Sequence, residues 1–317
     1  MRDTQAGGLT QTRRPLLKEK RTYIRQHYLL YLMLLPPVCY YLLFHYVPMG
    51  GVVIAFKNYS IFRGIWNSPW VGLGNYAKLF SIAEFFNAIR NTLTLNVLNL
   101  IVGFPAPILL ALMLNELTNK TFKKISQTVL YLPHFMSWVI VGGLVSMLFA
   151  TQTGVINRAL SYFGTSPVPW LSEDGWWVFM YVFVSVWQSV GWGAIIYLSA
   201  MTGISEELYE AARIDGCSRL KMMLHITLPG IRSTIVIVLI LRIGSMMSIG
   251  FEQPQMLKNS MVNNVADVIS TFIYRYGLEN GKYSISTAAG LIQSVINFAL
   301  VITANAVSNK ISDEGIW

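Results

Sequence analysis

Glu210, Ala211 and Ala212, then Gly216 after three residues, then Ile226, Leu228 and Pro229 after nine more, form a spaced pattern that carries a specific kind of chemistry. Its residue types build a helix, a turn and a second helix, not a bond-making set. Ser205 can cap a helix whose first turn holds Glu206 and Glu207, matching acid to the positive end of the helix dipole. Ala211 and Ala212 leave that helix a shallow surface, and Gly216, just after Asp215, can end it by turning left-handed. A second short helix over residues 218–225 follows, and Pro229 breaks the chain before the next segment begins near Ile231. The plainer reading is an amphipathic helix-turn-helix resting on a membrane surface. Seven fixed positions arise by chance in a chain of this length about once in a hundred thousand times or less, so the sharper reading is preferred.

Reaction chemistry has little to work with elsewhere. The nearest approach to a phosphate-binding Gly-x4-Gly-Lys-Ser/Thr loop is Gly277-Leu-Glu-Asn-Gly-Lys282, one residue short and without the hydroxyl, so no nucleotide site is expected. Cys39 and Cys217 can build neither a disulfide framework nor a metal cluster. Glu84, Glu173, Asp174, Glu252, Asp267 and Glu279 occur singly or side by side outside the apolar runs, and no His-Glu-x-x-His or Gly-x-Ser-x-Gly occurs. No catalytic set, no metal site and no bound cofactor is expected. A membrane enzyme and an ion-driven transporter are therefore weaker readings, the latter because it would carry coupling carboxylates inside its spans.

The elements that must position the loop follow from composition. Of 317 residues, 54% are apolar and only 12% charged, with a mean hydropathy of +0.48; a soluble domain carries about 25% charge. Runs free of Asp, Glu, Lys and Arg cover residues 26–56, 91–115, 125–157, 175–205 and 283–309, each longer than the ~20 residues a spanning helix needs. A sixth span, residues 233–251, is interrupted at its centre by Arg242, a residue expensive in lipid unless it faces a cavity or a partner. Residues 261–273, short and polar with Asp267, read as an extramembrane or partly re-entrant helix.

With the amino terminus inside, segments 1–25, 116–124, 206–232 and 310–317 hold 15 Lys and Arg, against 8 in segments 57–90, 158–174 and 252–282. Cytoplasmic loops carry that excess, so both termini are expected inside. Arg13, Arg14, Lys18, Lys20, Arg21 and Arg25 are then a topology signal and not a nucleic-acid site. The expected organisation is a basic segment 1–26, a six-span all-α domain 27–309 with the loop 203–230 on its inner face, and a short tail 310–317.

The loop pattern resembles the coupling loop of permease subunits of binding-protein-dependent ABC importers, which docks into a groove on a cytoplasmic ATPase. Tyr31-Leu-Met-Leu-Leu-Pro36, Ile54-Ala-Phe-Lys57, Trp70-Val-Gly-Leu73, Gly103-Phe-Pro-Ala-Pro107, Tyr131-Leu-Pro-His-Phe135, Gly191-Trp-Gly193 and Ala266-Asp-Val-Ile-Ser270 extend the likeness along nearly the whole chain, to the LplB-type branch of carbohydrate permeases. The resemblance implies a type I importer fold in a bacterial cytoplasmic membrane and a second, homologous permease. It also implies an ATPase pair holding ATP and Mg, an extracellular solute-binding lipoprotein, and a carbohydrate as cargo, an oligosaccharide in this branch; a non-sugar solute is the alternative. It assigns ATPase coupling to Glu206, Glu207, Glu210, Ala211, Ala212, Asp215, Gly216, Ile226, Leu228 and Pro229.

For a substrate path the candidates are Gln188, Trp192, Tyr197, Arg242, Gln293 and Asn297, whose rings and amides suit sugar faces and hydroxyls. An interfacial belt or interhelical packing is the plainer reading of the aromatic and amide residues, whereas for Arg242 a place on the path or gate comes ahead of structural pairing with a helix end or an acid. His134 reads as a structural histidine and His225 as part of the docking surface. Trp66, Trp70, Trp170 and Trp176 suit either binding-protein docking or anchoring at the membrane interface.

Overall fold

Long apolar helices with few internal partners dominate the chain. The structure, a computed structural model, describes Tyr23 and residues 26–312; the basic cluster Arg13–Arg25 and the end of the tail lie outside the described residues. Four helices are long and apolar enough to cross a membrane: Tyr28–Phe56, Ala83–Asn115, Asp174–Met201 and Tyr283–Lys310. At most 39% of any of their apolar windows is buried. Helices apolar on all sides and still uncovered belong in lipid or against other spans.

The chain divides into two units, Met1–Val53 and Ile54–Trp317. In the first, helix Tyr28–Tyr41 runs through Pro36 and Pro37 and passes into a wide π turn at Leu42–Tyr46, with no residue buried. In the second, Asp174–Met201 forms the central post and packs most extensively on Pro105–Asn115, then on Ala83–Gly103, while Arg232–Gly244 pairs with Tyr283–Ser312.

Two expected spans are bent. The third consists of Lys120–Phe135 and Trp138–Phe149, set at 100°. Pro133 opens the short 3₁₀ turn Leu132–Phe135 at the break, and contacts from the central post accompany it. A Cβ added to Gly191 on the central post would collide with the backbone carbonyl of Leu130, so only glycine lets the post approach just ahead of the break. Gln188 Nε2 then donates to Met136 O at 3.4 Å, and Ser137 caps the second half by accepting from Ile140 N–H. Gly191→Ala is expected to destabilise the protein by about 1–3 kcal/mol through overpacking. Gly143→Ala, where nothing lies within 4 Å of the added atom, should be neutral; melting curves of the detergent-solubilised proteins compare the two.

The sixth span also differs from expectation. Arg219–Gly230 and Arg232–Gly244 meet at 63°, bent at Ile231 after Pro229. The apolar helix stops at Gly244 and does not run on to Phe251, so Arg242 is exposed in its last turn and not at the middle of a span. Residues 261–273 pack into the protein: Val262, Ala266, Val268, Ile269 and Phe272 are buried, shared between two of the protein's apolar clusters. Asp267 is admitted there because Arg275 pairs with it and Thr271 Oγ1 donates to its Oδ1 at 2.7 Å.

Candidate functional site: the Glu206–Gly230 segment

Helix Glu206–Ile214 begins as its sequence requires, with Ser205 Oγ accepting from Glu207 N–H at 3.3 Å and two acids in the first turn. It ends in a Schellman turn. Cys217 N–H donates to Ala212 O at 2.9 Å and Gly216 N–H to Arg213 O at 3.1 Å, with Gly216 at φ +75. That left-handed residue sets the angle at which the chain leaves the helix.

The second arm starts at Ser218, whose hydroxyl accepts from Lys221 N–H, and runs as Arg219–Met222, a π turn Met223–Thr227 and Leu228–Gly230. It is longer than the expected 218–225. Pro229 brings no donor, and the wide turn ahead of it accommodates the missing hydrogen bond without ending the helix. Thus Ile226, Leu228 and Pro229 sit on one continuous arm that bends only at Ile231.

Two contacts hold the arms together. Tyr209 Oη and the buried Thr227 Oγ1 are hydrogen-bonded at 2.9 Å, and Gly230 lies so close to Ile204 that a Cβ would press on its side chain at 2.7 Å. Ile231 is buried with Tyr197, Met201 and Ala194 of the central post. The segment is thereby tied both to the end of one long helix and to the start of another.

Periodicity then decides which face is free. Glu207, Glu210, Ala211 and Ile214, spaced by three and four residues, share one side of the helix, and all four are exposed. Tyr209 and Ala212 turn toward the protein. Ile214 is 87% exposed, an apolar side chain beside two acids with little among the described residues covering it. Along the flank runs an open cleft of about 740 Å³, lined by Glu116, Glu206, Glu210, Arg213 and Arg219 among others, which brings residues 115–118 against the segment.

The substrate-path candidates fall into three separate groups. Gln188 and Trp192 join His134, whose ring stacks on Trp192 at 4.6 Å between centroids and 5° between planes, at the break in the third span. Tyr197 is 2% exposed, packed in an apolar cluster with Ala194, Met201 and Ile231, and Arg242 stands at the end of Arg232–Gly244. Gln293 Nε2 donates to Met247 O at 2.6 Å, and Asn297 Oδ1 accepts from Met247 N–H at 3.0 Å while its Nδ2 donates to Ser248 Oγ. Those two amides hold the unwound turn after Gly244, and Asn96, which sequence reasoning passed over, joins them through Met246 O at 2.7 Å.

Tyr209, Ile214 and the Asp267–Arg275 pair were also missed. Of these only Ile214, an apolar residue closing a charged amphipathic helix, left a signal in the sequence. Trp170 Nε1 donates to Asn157 Oδ1 at 2.9 Å, a structural role, whereas Trp66 and Trp70 stay largely exposed. Among the described residues no group of three or more His, Cys, Asp or Glu could hold a metal.

Comparison with known proteins covers most of the chain. The family model described as binding-protein-dependent transport system inner membrane component matches residues 103–313. The chain is similar to the polygalacturonan/rhamnogalacturonan transport system permease protein YteP of Bacillus subtilis (strain 168), 46% identical over 302 residues, covering 95% of this chain and 94% of that one. It is similar to Protein LplB of the same organism, 45% identical over 288 residues and 91% of each. Among solved structures, a bacterial ABC transporter involved in the import of the acidic polysaccharide alginate superposes with a TM-score of 0.85 at 42% identity, covering 93% of this chain and 99% of that one. The alginate transporter in complex with an alginate pentasaccharide-bound periplasmic protein gives 0.84 at the same identity and coverage.

Proposed function

The chain belongs to the binding-protein-dependent transport system inner membrane components, and from that premise we propose that it is the permease subunit of an ATP-driven importer of acidic oligosaccharides. It works by moving, not by catalysing a reaction. Relatives at 46% and 42% identity named for polygalacturonan/rhamnogalacturonan and alginate support the cargo, and a solute-binding protein delivers it, as in the complex of the alginate transporter.

We place six spans in a bacterial cytoplasmic membrane with both termini inside, each bent pair counting as one span. The way segments meet supports this topology. Residues 115–118 meet the Glu206–Gly230 segment at one cleft, joining two expected inner segments. On the other side, Asn259 Nδ2 donates to Leu171 O at 2.7 Å and Ile269 packs with Leu79 and Phe85, joining expected outer ones. The basic excess then lies on the inner face.

The observation that carries the coupling role is the free ridge Glu207, Glu210, Ala211 and Ile214 on a helix locked to two spans. An ATPase groove with an apolar floor and basic rim fits it, and a second permease completes the pair on which two ATPases close. When that pair closes on ATP and Mg, the helix moves with it. Tyr209–Thr227 and Ile204–Gly230 pass the displacement to the ends of Asp174–Met201 and Arg232–Gly244, opening the spans alternately to each side.

The test is uptake by proteoliposomes that hold both permeases and the ATPase pair, with loaded binding protein outside. ATP-dependent oligosaccharide uptake is expected; uptake driven by an ion gradient without the ATPase would overturn the reading. Within this assay Gly216→Val forces a β-branched residue left-handed, a strain of about 1–2 kcal/mol relieved by re-aiming the helix. Uptake should fall about tenfold. Gly216→Asn, which tolerates that conformation, should keep most of it.

A further inference from the structure

Arg90 stands on a different part of the molecule, seven residues into helix Ala83–Gly103, and coupling leaves it unused. Its side chain is exposed at a pocket of about 300 Å³ that also has Asn91, Thr94 and Asn264 as polar lining and Leu95 and Val178 as apolar wall. That volume is at the lower end of small-molecule sites, about 300–1,000 Å³, and suits one residue of a longer ligand. Val178 lies near the start of Asp174–Met201 and Asn264 in Asn263–Ala266, so the pocket sits where three segments assigned to the outer face converge.

The pocket is built around the arginine. Buried Asn91 spends both amide hydrogens on backbone carbonyls of the opposite wall, Asn264 O at 2.8 Å and Asp267 O at 2.9 Å. Its orientation is therefore fixed, with Oδ1 accepting from Arg90 Nη2 at 3.4 Å. That long contact steers the guanidinium while leaving most of its donors free. The acid on the same wall does not quench it, since Asp267 is paired with Arg275 and Thr271. Among the described residues no carboxylate pairs with Arg90. An oriented, unpaired guanidinium beside a hydroxyl and an amide is the donor set for a ligand carrying one carboxylate and several hydroxyls.

We propose that this pocket is a carboxylate-recognising subsite for an acidic sugar residue near the outer mouth of the permease, with Arg90 pairing the carboxylate and Thr94 and Asn264 meeting ring hydroxyls. It rests on the reading of the chain as an acidic-oligosaccharide permease and adds the group that reads the acid. A neutral sugar of the same size gains the hydroxyl contacts alone and binds more weakly.

The test uses the purified full assembly without binding protein, titrated with trigalacturonate and with neutral galactotriose while its melting temperature is followed. The wild-type complex should bind the acidic sugar at least about tenfold more tightly, the worth of a charge-assisted pair. Arg90→Gln should bring the two to parity, and Arg90→Lys, which keeps charge and loses the planar fork, should fall between. Equal wild-type affinities, or a preference intact in Arg90→Gln, overturns the subsite. Should that variant fail to assemble, Arg90→Lys decides, and a preference unchanged from wild type overturns it. The uptake assay judges the importer reading separately: uptake without an acid preference here removes the subsite and leaves the importer standing.

Discussion

Ile214→Glu is expected to yield a permease that inserts and melts like the wild type yet loses its ATPase subunits on purification. The side chain is 87% exposed and touches nothing that holds this fold together, so folding should be indifferent to the change. Docking should not be. An apolar anchor at the end of an acid-edged ridge gains its energy only when a groove removes it from water, and anchors of that kind are worth about 2 kcal/mol or more. A third acid beside Glu207 and Glu210 would also face whatever apolar floor receives it. Affinity for the ATPase should fall about thirtyfold or more, and uptake with it. Phe62→Glu, at a fully exposed aromatic far along the chain from the ridge, is the control and should leave ATPase binding unchanged. Full retention of the ATPase by Ile214→Glu would mean that the ridge is not the docking face.

The ridge was half visible in the sequence, and the reason is physical. Caps and terminators act locally, so Ser205, Gly216 and Pro229 could be read from type and spacing, and the structure gives Ser205 its cap and Gly216 its left-handed turn. The four long spans were legible because hydropathy over a full window is also local. Breaks within the spans were not. Beside the bend in the third span Gly191 meets a carbonyl from a segment some sixty residues earlier, and helix Arg232–Gly244 ends where Gly244 lies against Val301. That early end is what moved Arg242 away from mid-span.

Polar residues inside spans were the least legible. An amide in a span is there to satisfy something, yet sequence cannot say whether that is a ligand or a stranded backbone group. Gln293 and Asn297 turn out to satisfy the turn at Met247 and Ser248. Residues 261–273 show the converse: Asp267 marked the stretch as polar, and the arginine that pairs with it comes eight residues later. Burial of the stretch joins two of the protein's apolar clusters.

Asp267→Ala should accordingly destabilise the protein more than any exposed substitution discussed above. Its side chain is 8% exposed and Arg275 30% exposed, so removing the acid strands a cation that water reaches only in part. Breaking a fully buried pair costs about 3–5 kcal/mol; partial screening at Arg275 reduces this to about 2–3 kcal/mol. Arg275 also lies over the rings of Phe272 and Tyr276, at 5.9 and 5.4 Å, and burial first, then Glu84, with a smaller push from Asp267, hold the Tyr276 phenol above its ordinary value against the pull of Arg275. The ring therefore stays neutral at ordinary pH and does not replace the lost carboxylate. Asp267→Asn keeps an acceptor for Thr271 and should cost less than the alanine. Thermal unfolding in detergent measures both, and the order alanine, asparagine, wild type in rising stability is the expected result. Because Asn91 donates to the backbone carbonyl of Asp267, the alanine should also loosen the wall that aims Arg90, weakening trigalacturonate binding without touching the arginine itself. An Asp267→Ala protein that melts with the wild type would show that the pair adds nothing to stability and that the packed segment is held by its apolar residues alone.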